Sequence, residues 1–398
     1  MIVLIFLIAF LPRLISITSV EQGGDETLYI CSGLIYIHNI ERHYTEIRDW
    51  RINSEHPPLP KYLIGLFVRL FTDFRLPSNV QGKDELWILH NYYQSLPVDV
   101  LFWARIPYAI IGAITCILVF LLGTEMRDPV FGFLASLFAS FNGFWFFFTI
   151  SVWCVDPPMT LFTTLALLLF YRGIKKRSSP YIMSSGISFG LALSSKYLAV
   201  YGVLVAILWF AYIFHKERSN WIEFLRRNQR LKLSLILFFP LMAIPFIIVW
   251  GIFWLPPEKV LRLISISFER HSAMGHFGLT NSLENAFIPL NWLFISAFRE
   301  APPYYVLYAP LERFFIIIGS TYLLTHAIKR RVTDEEVLIG LYLAIPLVCL
   351  SAMLTKLSTY TLILIPALAF SCTLGVEKTL FYLKQFKNTR NSGEGLLH

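Results

Sequence analysis

Apolar residues in this chain come in long unbroken blocks. Blocks on the order of 20 residues, the length needed to cross about 30 Å of hydrocarbon, recur from one end to the other. They predict helical spans at roughly 2–20, 103–123, 130–149, 157–171, 182–195, 197–214, 234–254, 311–328, 336–354 and 358–376. That makes about ten spans, in a range of roughly 9–12, crowded between 157 and 214. The blocks are apolar throughout rather than at alternate positions, so they read as helices and not as barrel strands. The pattern predicts an all-α polytopic membrane protein, one membrane domain over 1–398, without internal repeats.

Two stretches break this rhythm, 21–102 and 255–310. Within the first, "KYLIGLFVRLFTDF" at 61–74 is too short to span comfortably and too apolar for open water, which predicts a helix lying in the interface plane. "DELWILHNYYQSLP" at 84–97 carries Trp87, Tyr92 and Tyr93, residues suited to the headgroup region. The second stretch is rich in aromatics and is punctuated by Pro256-Pro257 and Pro302-Pro303.

Composition agrees: 56% of the 398 residues are hydrophobic and only 15% charged, too little charged surface for a soluble domain of this length. The net charge of +8 would suit a nucleic-acid partner only if the basic residues shared one face, and they do not. They gather in short loops at 171–179, 215–232 and 329–331 and in the tail around Lys378–Arg390. The positive-inside rule assigns those loops and both termini to the cytoplasm, which leaves 21–102 and 255–310 as outer loops. The first apolar run lacks a basic leader and is long enough to stay as a span rather than be cleaved. Cys31, Cys116, Cys154, Cys349 and Cys372 show no metal-ligand spacing and read as small apolar fillers.

Against this background a few polar residues need explaining. Asp25 and Glu26 follow the first span in "EQGGDETLYI", either as a solvated helix end or as a base held at the interface. Gly23 and Gly24 before them allow a sharp, flexible exit that aims Asp25 into the outer face. In "EHPPLPKYL" two prolines fix His56 and Lys61 on a rigid turn. Arg105 opens the second span, as a snorkelling cation or as an anion ligand. Asp156 precedes Pro157-Pro158, where a helix N-cap is the plain alternative to a functional role. Lys196 falls between two apolar runs with no acidic residue near it in sequence, and an ionisable group at that depth invites a functional reading.

One carboxylate beside several cations suits group transfer from a phosphate-linked donor. Arg and Lys compensate the departing phosphate, and the carboxylate takes the proton of the attacking hydroxyl. A glycosidase would need a second carboxylic acid to protonate its leaving group. Asp25 and Asp156 are also able to hold a divalent ion, although nothing in their spacing requires one.

In collinear order, Asp25-Glu26, "HPPLPK" at 56–61, "ARIPYAIIGAIT" at 104–115, "VDPPMTLFTTLALLLF" at 155–170 and "GLALSSKYLAVYG" at 190–202 resemble the membrane core of the protein O-mannosyltransferases. They are similar also to relatives in the wider GT-C class, the lipid A aminoarabinose transferases among them. The resemblance covers the first half of the chain. It implies an inverting glycosyltransferase of the plasma membrane, with its active site on the extracytoplasmic face and no required cofactor. The donor would be a polyprenyl- or dolichyl-phosphate sugar, with mannose first, and the acceptor a protein or a lipid-linked glycan. By the resemblance Asp25 is the general base, Arg105 and Lys196 bind the donor phosphate, and Glu26, His56, Lys61 and Asp156 bind substrate or position the loop.

The chain departs from that pattern in its second half. The stretch 255–310 is too short for the β-trefoil MIR module those mannosyltransferases carry, which leaves room for a lipid-linked acceptor. "RHSAMGHFGLTNS" at 270–282 is a counterpart of the family's later outer loop, with His271 or His276 facing the site or lying on the loop surface. The Trp-Trp-Asp-Tyr-Gly signature of oligosaccharyltransferases is not in the sequence. A lipid or sugar transporter is the alternative from another class, though its hallmarks are internal repeats and helices broken near the midplane.

Overall fold

The protein is described by a computed structural model that covers residues 1–77, 80, 83–251, 253, 255–273, 303–352 and 358–394. Every regular element among them is helical. Helix α1 (Ile2–Ser16) precedes three helices within 21–102, α2 (Gly24–Glu41), α3 (Leu59–Phe71) and α4 (Glu85–Tyr92). The bundle continues with α5 (Val98–Met126), α6 (Pro129–Phe141), α7 (Gly143–Ile150), α8 (Asp156–Lys175), α9 (Ser179–Leu193) and α10 (Val200–Lys216). After α11 (Arg218–Arg227) come α12 (Gln229–Val249), α13 (Pro257–Ala273), α14 (Pro303–Ile328), α15 (Asp334–Ala352) and α16 (Ile365–Glu394).

Each expected span coincides with a helix or a helix pair, but length and apolarity single out fewer of them. Among the described residues Val98–Met126, Tyr197–Lys216, Gln229–Val249, Pro310–Ile328 and Thr359–Phe386 are long and apolar enough to cross a membrane. The pair α6 and α7, bent by 60° at Asn142, adds a sixth if it forms one span. Helix α9, at 15 residues, is too short for that group, and both it and α8 carry polar residues on their packed faces. Thr160, Thr163 and Thr164 of α8 and Ser185 and Ser188 of α9 are buried against other helices and need not be apolar for the sake of lipid.

Local chemistry sets the ends of these helices. Asp128 caps α6 by accepting from the N–H groups of Val130 and Phe131, with Pro129 at the first helical position. Asn142 accepts from Trp145 N–H and so starts α7 where α6 stops. Helix α5 runs through the middle and packs on α1, α6, α7 and α8, while α9 lies between α8 and α12, and α14 lies along α16. One continuous apolar core joins them, and a second cluster seats α2 and α3 on the N-terminal end of α5 through Tyr29, Ile64, Val68, Val100 and Tyr108.

Sequence inspection passed over Arg13. It is fully buried in α1, donates to Thr149 Oγ1 at 2.8 Å and to the carbonyls of Ala9 (2.7 Å) and Ser140 (3.3 Å), and lies over the Phe146 ring. It stitches α1 to α6 and α7.

Candidate active site

Helix α2 begins at Gly24 and carries Asp25 and Glu26 in its first turn. Gly23 and Gly24 do not form a flexible exit, because the chain turns directly into a helix and neither residue has a positive φ. Gly23 is small for another reason: a Cβ there would fall 2.7 Å from the indole of Trp153.

The two acidic neighbours differ completely in environment. Glu26 is fully buried and accepts from Arg105 Nε at 2.7 Å, Arg105 Nη2 at 2.6 Å and the Val152 N–H at 2.9 Å. Arg105 directs its other N–H groups to the carbonyls of Ile17 (2.7 Å), Val20 (2.9 Å) and Glu21 (3.3 Å). All five guanidinium donors are then engaged by protein, in the bidentate geometry that suits Arg. The pair ties together the end of α1, the start of α2, the first turns of α5 and the chain after α7. A contact from Arg105 to a phosphate would have to break one of these bonds.

Asp25 instead borders an open cleft of about 370 Å3, lined also by Gln22, Gly24, Tyr93 and Trp153. Among the described residues its side chain makes no hydrogen bond or ion pair. Its surface is exposed, yet the protein crowded around it pushes its pKa above the usual carboxylate value, and the field of Lys196 partly offsets that rise.

Lys196 follows α9 and is 2% exposed, its Nζ 2.6 Å from Oδ2 of the fully buried Asp156 and 4.3 Å from the Tyr360 ring centroid. The expected lone cation therefore has a partner 40 residues away in sequence. The Leu59 N–H donates to the Ser194 carbonyl at 3.2 Å and anchors the proline turn beside Lys196.

Lys61 is buried under that same turn. It donates to the carbonyls of Asn53 and His56 (the latter at 2.9 Å), and lies over the Tyr36 ring. Burial pushes its pKa down to about 8, against the pull of Glu55. His56 is nearly buried, its ring 6.0 Å from that of Tyr29. Tyr29 stands within electrostatic reach of Asp25 and Glu55, and Tyr108 within reach of Glu26 and Asp156. Asp25, Glu26, His56, Lys61, Arg105, Asp156 and Lys196 thus meet at one end of the bundle. His276 lies outside the described residues, as does the side chain of His271.

Sequence reading did not assign Gln22, Trp153 or Tyr93 to the cleft, the last being read only as an interfacial aromatic, nor Tyr360 to a place over Lys196. Trp153 had a signal, since it stands three residues before Asp156 in "SVWCVDPP". Among the described residues no group of three or more His, Cys, Asp or Glu side chains is arranged to hold a metal. The Lys196 ammonium sits on Oδ2 of Asp156 and already offsets the charge of that carboxylate.

Residues 87–248 match the family model described as dolichyl-phosphate-mannose-protein mannosyltransferase. Comparison with curated protein sequences gave no match. Among solved structures, ArnT from Cupriavidus metallidurans in the apo state aligns at 14% identity and a TM-score of 0.60, over 94% of this chain and 59% of that one. The apo oligosaccharyltransferase of Archaeoglobus fulgidus aligns at 15% identity and a TM-score of 0.59, over 98% of this chain and 51% of that one. ArnT bound to undecaprenyl phosphate gives 15% identity and 0.56, over 94% of this chain and 60% of that one. The chain therefore spans between half and three-fifths of the length of these structures. With nearly its whole length in the fold of ArnT and the archaeal oligosaccharyltransferase, and 87–248 matching the mannosyltransferase model, the chain resembles the membrane core of the protein O-mannosyltransferases within the GT-C class.

Proposed function

We propose that the protein is an inverting glycosyltransferase. It moves a sugar, mannose in the first instance, from a polyprenyl- or dolichyl-phosphate to a hydroxyl of a protein or lipid-linked glycan. The reaction takes place at the extracytoplasmic face of the cell membrane. The observation that carries this reading is the contrast among three carboxylates at one end of the bundle. Glu26 is bound to Arg105 and Asp156 to Lys196, while Asp25 alone of the three is uncommitted and open to a cleft. Support for the donor class comes from relatives of the fold solved with undecaprenyl phosphate and with dolichol-phosphate.

Each residue then has a task. Asp25 takes the proton of the acceptor hydroxyl, and its raised pKa makes it a stronger base than a solvated aspartate. The acceptor oxygen forms a bond to the anomeric carbon as the bond from that carbon to the phosphate oxygen breaks. The pair of electrons leaves with the polyprenyl phosphate, and configuration inverts. Lys196 offsets the charge that grows on the phosphate, with Asp156 and Tyr360 holding the ammonium in place. Glu26 and Arg105 position the base by fixing the first turn of α2, and Lys61 and His56 shape the proline turn.

The test uses membranes containing the protein or its Asp25→Asn variant, supplied with polyprenyl-phosphate mannose labelled in the sugar. Label is followed into protein, lipid-linked glycan and soluble fractions. The expected result is transfer by the wild type and a loss of at least about a hundredfold in the folded variant. Equal transfer by the variant removes Asp25 from the base position. No transfer from any of several polyprenyl-phosphate sugars overturns the transferase reading itself.

A further inference from the structure

A second cavity, of about 350 Å3, opens where the end of α2 meets the end of α3 and the extended segment after it. Its polar lining is dominated by cations: Arg42, Arg69 and Arg75 surround it with His38, against the carboxylate of Glu41. Arg69 and Glu41 neutralise each other through two hydrogen bonds, at 2.8 and 3.1 Å. Arg75 rests one nitrogen on the carbonyls of Thr72 (2.9 Å) and Phe74 (2.7 Å), which orients the guanidinium without cancelling its charge. Arg42 is exposed and pairs with no carboxylate among the described residues. Two uncompensated guanidinium groups therefore face one cavity, whose floor, including Leu34 and Leu76, is apolar.

The surroundings identify what such a cavity would hold. Beside it, α3 exposes Leu66, Leu70 and Phe71 at 42%, 64% and 52% of their surface, with Trp103 stacked on Phe71. At about 100° per residue, Arg69 lies roughly a quarter-turn round the helix from Leu70, so the cavity wall that Arg69 forms borders the apolar edge of α3. An apolar edge flanked by cations is the arrangement of an interfacial helix, and guanidinium forks match phosphate oxygens.

The lipid donor of the proposed reaction does not fit here. Helix α2 rises about 1.5 Å per residue, which separates Glu41 from Asp25 by roughly 24 Å, far beyond the reach of one sugar unit. We infer that the cavity binds the phosphate headgroup of an anionic bilayer phospholipid through Arg42 and Arg75, its acyl chains lying along Leu66 and Leu70. Such a lipid would clamp α2 against α3 and fix the depth of the outer loop in the membrane.

The experiment reconstitutes the full chain in nanodiscs of phosphatidylcholine containing phosphatidylglycerol, then counts retained lipids by native mass spectrometry. Wild type should retain phosphatidylglycerol, and an Arg42→Ala/Arg75→Ala double variant should retain at least about tenfold less. The Arg42→Lys/Arg75→Lys variant should recover part of the binding, which separates loss of charge from loss of fold. Inorganic phosphate at millimolar concentration should displace none of the lipid. Equal retention by wild type and the alanine variant overturns the proposal. So does displacement by inorganic phosphate, which would mark a free-anion site, or selective loss of added polyprenyl phosphate, which would make the cavity part of the donor site.

Discussion

Replacing Glu26 by alanine would leave the Arg105 guanidinium buried without its counter-charge and Val152 N–H without an acceptor. Breaking a buried pair in this way costs about 3–5 kcal/mol, so Glu26→Ala should lower the unfolding temperature and accumulate poorly, before any question of catalysis arises. Asp25→Asn, one residue away, breaks no such bond and should leave the unfolding midpoint within experimental error of wild type. Lys196→Met makes a different prediction. The ammonium lowers the pKa of Asp25, so its removal should raise that pKa further. A base works deprotonated, and the rate falls as pH drops through its pKa, so the acid limb of kcat/KM should move to higher pH in the variant. An unmoved limb would place the influence of Lys196 on the donor alone. The acidic and basic members of this site were legible because charge is scarce in the sequence, at 15% of residues, and each instance stood out. Their pairing was not, since Glu26 and Arg105 are 79 residues apart and nothing local joins them. The aromatic members were hidden for the opposite reason: with 16% Phe, Trp and Tyr, Tyr93 and Tyr360 carry no signal of their own.

The helices within 21–102 show the same division between pattern and packing. An interfacial helix was expected over 61–74, and α3 fills most of that range. Likewise α4 sits inside the aromatic stretch 84–97. Helix α2 was not anticipated, because two glycines and mixed polarity conceal it in sequence. It is buried on nearly every side, by α3, α4 and the segment around Trp50, and so shows no amphipathic stripe to read. Where α2 crosses α3, Gly33 faces Gly65, and a Cβ at Gly65 would run into the Gly33 carbonyl. That carbonyl belongs to the backbone of a packed helix and cannot rotate away. Gly65→Val should therefore push the helices apart and destabilise the loop by about 1–3 kcal/mol. The shift would appear as faster amide exchange in α2 and α3 while α9 and α12 keep their protection. Uniform loss of protection across the chain would instead mean that the loop and the bundle unfold as one unit.

Across the whole molecule, polar chemistry gathers at both ends of the bundle and is built differently at each. Helix α8 carries Asp156 in its first turn and Arg172 and Lys175 in its last, so the two ends lie roughly 25–30 Å apart. At the site end the ion pairs are buried, with Arg105, Glu26, Lys196 and Asp156 each exposed by 2% or less. At the opposite end Asp334 meets Lys175 at 3.1 Å and Lys216 at 2.6 Å, but the lysines keep 36% and 50% of their side-chain surface in solvent. Arg172 and Glu125 form a further partly exposed pair there. Water and salt screen such contacts, so Asp334→Asn should cost less than about 1 kcal/mol, and the cost should shrink as ionic strength rises. Its transfer rate should match wild type, since no described hydrogen bond or ion pair of Asp334 reaches the Asp25 cluster. Unfolding midpoints at low and high salt, measured beside the labelled-sugar assay, would test both statements together. A large fall in transfer with the midpoint unchanged would mean that α8, α10 and α15 move against one another during turnover. The pairs around Asp334 would then be a latch at the opposite end of the bundle rather than a solvated edge.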